Sequence, residues 1–290
     1  MKTVLITILS LLTFWTAPSR TVETTNVPGQ ETDAPPLCGL THMQALAGDP
    51  AFQALHANPL PLHYRSKAGE MMTFQTPDGK TANGFFLKAK KPSDKWLLVY
   101  QEWWGLNDNI RQQAETFYND LKNVNVLALD MYDGKVATER TEAAKLMQGA
   151  DKARLGAIMK GAIAYAGPKA EIASVGWCFG GSLSLQSAML AGKQAKGCVM
   201  YYGFPEQDVA KLKTLDTDVL GIFGNKDKAI GPLVVDKFAE NMKAAGEKIE
   251  VVRYDADHGF ANPSNPVYDK TAAADAYKRA LNYLKERLKA

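Results

Sequence analysis

Residues 172–190 read IASVGWCFGGSLSLQSAML. A short apolar run enters Gly176-Trp177-Cys178-Phe179-Gly180-Gly181 and continues into residues that favour a helix, the strand–turn–helix passage of a nucleophile elbow with Cys in the place of Ser. Glycines two residues either side of Cys178 relieve crowding, so the tight turn can hold the side chain above the end of the strand. The start of the following helix turns its positive end toward the sulfur, and the Phe179 N–H becomes available to an oxyanion. Close strand–helix packing around a buried Cys178 is the competing reading of the same glycines.

Outward from this passage, strand-like runs alternate with helix-like ones. KWLLVYQ, VNVLALD, IASVGW, GCVMYYG, DVLGIFG and IEVVRYD are apolar on both sides and are separated by helical segments. One of these is expected to be a continuous helical stretch over about 138–166. The alternation predicts a single α/β domain: a mostly parallel sheet with helices on both faces, preceded by a hairpin that turns at Asp78-Gly79. Ligands of such sheets bind beyond the carboxyl ends of the strands.

Those ends carry the remaining candidates. His258 follows IEVVRYD on a polar loop, and the other histidines, His42, His56 and His63, lie at or before the domain boundary, leaving His258 as the expected general base. Asp227 follows DVLGIFG and is placed to orient the imidazole. Asp255 and Asp257 rank below it, because neighbours that close in sequence do not ordinarily reach the far ring nitrogen. The order nucleophile, acid, histidine is that of the α/β-hydrolases. Glu102, Trp103 and Trp104 stand at a further strand end, and Tyr132 follows VNVLALD.

With Q-E-x-x-G-x-N at Gln101, G-x-C-x-G-G at Gly176, the Asp after the sixth strand-like run and H-G-F-A at His258, the chain from about Lys95 onward resembles the dienelactone hydrolases (carboxymethylenebutenolidases). The resemblance implies that Glu102 approaches the nucleophile and takes up the thiol proton, and that the Trp103 N–H joins Phe179 in the oxyanion hole. It also implies substrate contacts from Arg140, Trp104, Tyr132 and the position of Asn262. The family grips the carboxylate of dienelactone with two arginines; Arg140 matches one, but Asn262 replaces the other and Gly259 stands where a serine is expected. Ala144 and Met147 replace larger aromatic residues, implying a roomier pocket. A different ester or lactone is therefore expected, cleaved by a Cys178–Asp227–His258 triad. Acyl transfer by the same residues and a non-catalytic secreted ligand-binding protein are the alternatives.

Composition narrows the rest. Lys plus Arg (34) nearly balances Asp plus Glu (31), which predicts no large basic face and no nucleic-acid partner. A lysine followed by a short apolar run and Ala17-Pro18-Ser19 reads as a signal peptide over 1–19, implying a secreted or periplasmic protein without stable membrane association after cleavage. Residues 20–61 read as a linker or N-terminal extension with possible short helices, and 62–290 as the dienelactone-hydrolase-like domain. Three cysteines leave at least one unpaired, expected to be Cys178; a Cys38–Cys198 disulfide stays open. The expected chemistry needs no metal and no organic cofactor, and the partner is a small-molecule ester or lactone.

Overall fold

A computed structural model describes residues 38–290; the proposed signal peptide and the first part of the extension lie outside the described residues. The described chain runs α1 (Cys38–Gly48), α2 (Pro50–Ala54), β1 (Glu70–Gln75), β2 (Thr81–Leu87), β3 (Lys95–Tyr100), α3 (Asp108–Leu121) and β4 (Asn125–Leu129). It continues with α4 (Arg140–Gln148), α5 (Lys152–Ala166), β5 (Glu171–Trp177), α6 (Phe179–Ala191), β6 (Ala195–Tyr201), α7 (Val209–Leu212), β7 (Val219–Gly224), α8 (Pro232–Ala245), β8 (Ile249–Tyr254) and α9 (Lys270–Leu288). The strands form one sheet in the order β1-β2-β4-β3-β5-β6-β7-β8. The β1–β2 hairpin adds antiparallel to β4, and every other pairing is parallel.

The sequence pattern accounts for this layering. All five residues of β4 and all six of β7 are buried, as strands covered on both faces must be. Helices α3 and α9 pack on each other and on the central strands, while α6 lies across β3, β5 and β6. Helix α6 is buried almost all round, and its serines let a helix with no solvent face sit there. Ser184 Oγ donates to Val199 O at 2.9 Å, Ser182 Oγ donates to Phe204 O at 2.8 Å, and Ser187 Oγ accepts from the Tyr100 hydroxyl at 2.6 Å. Each bond ties the helix to a strand or to a strand's exit and leaves no buried hydroxyl idle. The segment that carries Cys178 is thus fixed from both sides.

Two expectations change. The helical stretch over 138–166 is two helices, because Gly149 ends α4 and the Asp151 carboxylate accepts from Ala153 N–H to cap α5. Cys198 is a free, buried thiol rather than half of a disulfide. Among the described residues no helix is long and apolar enough to cross a membrane.

Candidate active site

The parallel strands β3, β5, β6, β7 and β8 release their chains at one edge of the sheet. Leaving β5, the backbone turns sharply at Cys178, with φ 54° and ψ −119°, before entering α6. A Cβ on Gly176 would lie 2.0 Å from Gly180 O, and one on Gly180 would lie 2.3 Å from Tyr100 O. Both contacts are with backbone, so the elbow admits no side chain at either position. The two glycines let strand, turn and helix approach closely while Cys178, 2% exposed, takes a positive-φ conformation, so the close packing of the competing reading and the strained turn of the elbow are both present. Phe179 opens α6, so its N–H has no intrahelical acceptor. Among the described residues the Trp103 N–H, on the turn after β3, likewise meets no acceptor.

His258 and Asp227 come together as expected. His258 Nδ1 donates to Asp227 Oδ2 at 2.6 Å, and the other carboxylate oxygen accepts from the Ala229 and Ile230 N–H groups at 2.9 and 2.8 Å. Burial pushes the Asp227 carboxyl up, but the His258 charge, its hydrogen bond and the two backbone donors together hold it below the usual carboxylate range. Burial pushes the His258 imidazole down, and the facing Asp227 and Cys178 charges overcome it, leaving the ring well above its ordinary value. Asp255 and Asp257 are exposed, and Asp255 pairs with Lys226 at 3.0 Å instead. Gly259, the residue that replaces a serine, has φ +78°, and a Cβ there would strike Asn265 Nδ2 at 2.5 Å. The loop that presents His258 therefore requires glycine.

Glu102 is 4% exposed, and burial pushes its carboxyl up to about 7 against the lowering effects of His258 and of a hydrogen bond from Asn262. Asn262 Nδ2 donates to Glu102 Oε2 at 2.5 Å, while its Oδ1 accepts from Ser264 N–H and Oγ at 2.9 and 2.7 Å. The residue at the expected arginine position thus orients Glu102, and its amide is already engaged. Tyr132 is buried and stacks on Phe179 with ring centroids 5.9 Å apart, and Trp104 is buried edge-on to Trp103 at 5.1 Å. Arg140 is different. It is exposed at the start of α4, its N–H bonding Asn58 Oδ1, outside the buried cluster.

The N-terminal helices change the site most. Helix α1 packs on α4 and α6, burying Leu40, Met43 and Ala47, and Gln44 Nε2 donates to Ala150 O at 2.7 Å. Ala144 and Met147, expected to leave a roomier pocket, are buried on α4, the helix against which α1 packs. Past α2, Leu60 N–H bonds Ser264 O at 3.0 Å. Between these ties Phe52 and His56 sit on the candidate residues: Phe52 lies 5.6 Å from the Trp103 ring, and His56 lies 4.5 Å from Trp103 and 4.9 Å from His258. His56, set aside by its sequence position, is therefore an active-site neighbour, 4% exposed, with Nδ1 donating to Phe52 O at 2.8 Å. Burial and the nearby His258 charge push its imidazole down to about 3. The accessible sequence signal was Asp49-Pro50, an N-cap and first-turn proline, which mark the short helix that carries Phe52 toward the site. Tyr202 was also missed; leaving β6 at φ 36°, it sets its ring 5.0 Å from His258.

A parallel sheet that delivers an elbow cysteine, an acid and a histidine in this order from the ends of β5, β7 and β8 defines an α/β-hydrolase fold. The chain belongs to the dienelactone hydrolase family, whose sequence profile matches residues 83–288. Protein usf of Aquifex pyrophilus is 27% identical over 238 residues, across 76% of this chain and 99% of its own. A protein of Aquifex aeolicus (strain VF5) with a provisional carboxymethylenebutenolidase name is 25% identical over 239 residues, across 76% of this chain and 100% of its own. Among solved structures, a dienelactone hydrolase-like promiscuous phosphotriesterase from metagenomic libraries aligns with a TM-score of 0.65 at 21% identity, covering 76% of this chain and 99% of that chain. That last likeness concerns the fold. The family match begins after the segment that carries Phe52 and His56.

Proposed function

We propose that the chain hydrolyses carboxylic esters or lactones by nucleophilic catalysis from Cys178, with His258 as general base and Asp227 as its orienting acid. The observation that carries this reading is the buried convergence at one sheet edge. Cys178 is held in the elbow's positive-φ conformation, its sulfur lies within 4.8 Å of a His258 ring nitrogen, and His258 Nδ1 is bonded to Asp227. In the proposed cycle Glu102 or His258 takes the thiol proton, and Cys178 Sγ attacks the substrate carbonyl. The oxyanion is received by the Phe179 and Trp103 N–H groups, and the alcohol departs with a proton from His258. His258 then activates water against the acyl thioester, releasing the acid and the thiol.

The charge arrangement favours a substrate without the carboxylate of dienelactone. Asn262 is engaged by Glu102 and Ser264, and Arg140 faces solvent, so neither of the two expected cationic contacts is offered. Cys178 and His258 are 2% and 3% exposed, with Phe52, His56 and Tyr202 packed on the His258 ring. The test is a panel of neutral esters and lactones, with a phosphotriester included because of the structural neighbour. Cys178→Ala is expected to lower turnover by roughly 10³-fold or more with the circular dichroism spectrum unchanged. Unaltered turnover in that variant would end the reading.

A further inference from the structure

The proposed hydrolysis leaves one buried group unused. Among the described residues, one ring nitrogen of His56, one of His258 and Cys178 Sγ all lie within 4.8 Å of one another. Each imidazole spends its Nδ1 proton elsewhere: His56 on Phe52 O, which can only accept, and His258 on Asp227. In the neutral His56 ring the Nε2 lone pair is therefore buried with no hydrogen-bond partner, while the His258 Nε2 is buried beside Cys178. Histidines whose second nitrogens are fixed by a backbone carbonyl and a carboxylate are arranged as metal-ligating histidines are. The unpartnered His56 Nε2 leaves a buried acceptor unsatisfied, which is unfavourable unless a ligand meets it.

We propose that His56, Cys178 and His258 form a site for a thiophilic divalent metal ion, with Zn²⁺ as the probe, and that its occupation arrests the hydrolase and holds α2 against the sheet edge. The donor set of one thiolate and two imidazoles suits zinc and excludes magnesium and calcium, which take oxygen. A tetrahedral zinc with Zn–N near 2.0–2.1 Å and Zn–S near 2.3 Å needs its ligand atoms about 3.3–3.6 Å apart. Side-chain rotations at Cys178 and His56 can supply the remaining approach, and the fourth position is left to water. Binding releases to solvent the proton shared by Cys178 and His258 and moves no electron. The ion's two positive charges are then met by the thiolate and by Asp227, which makes the buried site neutral. Because the metal would take both the nucleophile and the base, it acts as an inhibitor. Only His56 comes from outside the family-matched span, so the third ligand is a property of the N-terminal segment.

The experiment uses the full chain. Equilibrium dialysis against Zn²⁺ should give one ion per chain with Kd at or below about 1 μM. The Co²⁺-loaded protein should show a sulfur-to-cobalt charge-transfer band in the near ultraviolet. His56→Ala should weaken zinc binding roughly tenfold or more and abolish tight inhibition. His56→Phe, which refills the aromatic niche beside Trp103, gives the same readout if the alanine variant loses structure. Ester hydrolysis by the wild type should fall in proportion to zinc bound and return on chelation. Undiminished zinc affinity in both His56 variants, or a cobalt spectrum without the thiolate band, overturns the proposal. Dialysis needs no turnover, so zinc binding by a protein that hydrolyses nothing would refute the proposed function and leave the site standing; hydrolysis unaffected by zinc would do the reverse.

Discussion

Two regions bring side chains to the same sulfur by different physics. The strand ends deliver Glu102, Cys178, Asp227 and His258 from turns anchored in a sheet with strands β3 to β7 closely paired on both sides. The segment 38–61 delivers Phe52 from the five-residue helix α2 and His56 from just beyond its end. In the first region position follows from the local chain, because each residue stands within a few positions of a paired strand. In the second, position follows from docking: isolated helices of this length do not form in water, so α2 exists only because Phe52 and its neighbours find an apolar surface. Sheet-borne residues should therefore respond to mutation together with the global fold, and the cover should open independently of it.

The largest expected effect tests the rigid side. Gly180→Ala places a Cβ 2.3 Å from Tyr100 O and 2.5 Å from Gln101 O, both main chain of the neighbouring strand and its exit. The elbow can yield only by separating α6 from β3, and a loss of at least about 3 kcal/mol is expected in chemical denaturation. Gly156→Ala supplies the contrast. Its added methyl meets nothing within 4 Å on α5, so the helix should gain about 0.5–1 kcal/mol. Equal stability of the two variants would show that the elbow relaxes and that its strain has been overstated.

The cover is tested by Phe52→Ala. Removing a fully buried phenylalanine typically costs about 3–5 kcal/mol. If the cover opens by itself, most of that cost appears in local opening. Amide exchange should rise sharply over 38–56 and stay slow in β3 and β5, with only a small change in the denaturation midpoint. A midpoint shift of the full magnitude, with uniform exchange, would make the cover part of one cooperative unit.

The same contrast explains what could be read from the sequence. Alternating apolar runs and strand-end residues determine the sheet, and Cys178, Asp227 and His258 were legible because a motif and a topological rule each concern residues close in the chain. Trp103, Tyr132 and Trp104 were placed at the right edge for that reason too. Asn262 was found by position but its partner was not, since a hydrogen bond across 160 residues to Glu102 leaves no local trace. Arg140 was matched by local similarity, and the Asn58 amide oxygen bonds its N–H at an exposed helix start. His56 was set aside because distance from the domain boundary was taken as distance from the site, and a docked segment breaks that rule. Tyr202 lay within an apolar run whose other members are core, and its turn away from the strand has no compositional sign.

The last effect, which appears only as pH rises, concerns the cost of a buried carboxyl at the sheet edge. Glu102 titrates near about 7 in the folded chain against an ordinary 4.5, so between those values the native state holds a proton that the unfolded state has lost. Stability then falls as pH rises through that window, by up to about 3 kcal/mol. Glu102→Gln keeps a group that can bond Asn262 but does not titrate. Its melting temperature should match the wild type near pH 4.5 and exceed it above pH 7. The same change bears on activity, because a Glu102 that accepts the thiol proton must be ionised. The wild-type kcat/KM should rise with pH about a midpoint near 7, and the variant should lose that limb and run slower above it. If the melting difference appears while the rising limb persists, Glu102 is a buried structural acid and His258 alone receives the proton. If the melting difference appears and the rising limb is lost, the strain borne by the fold at Glu102 is the one the chemistry uses.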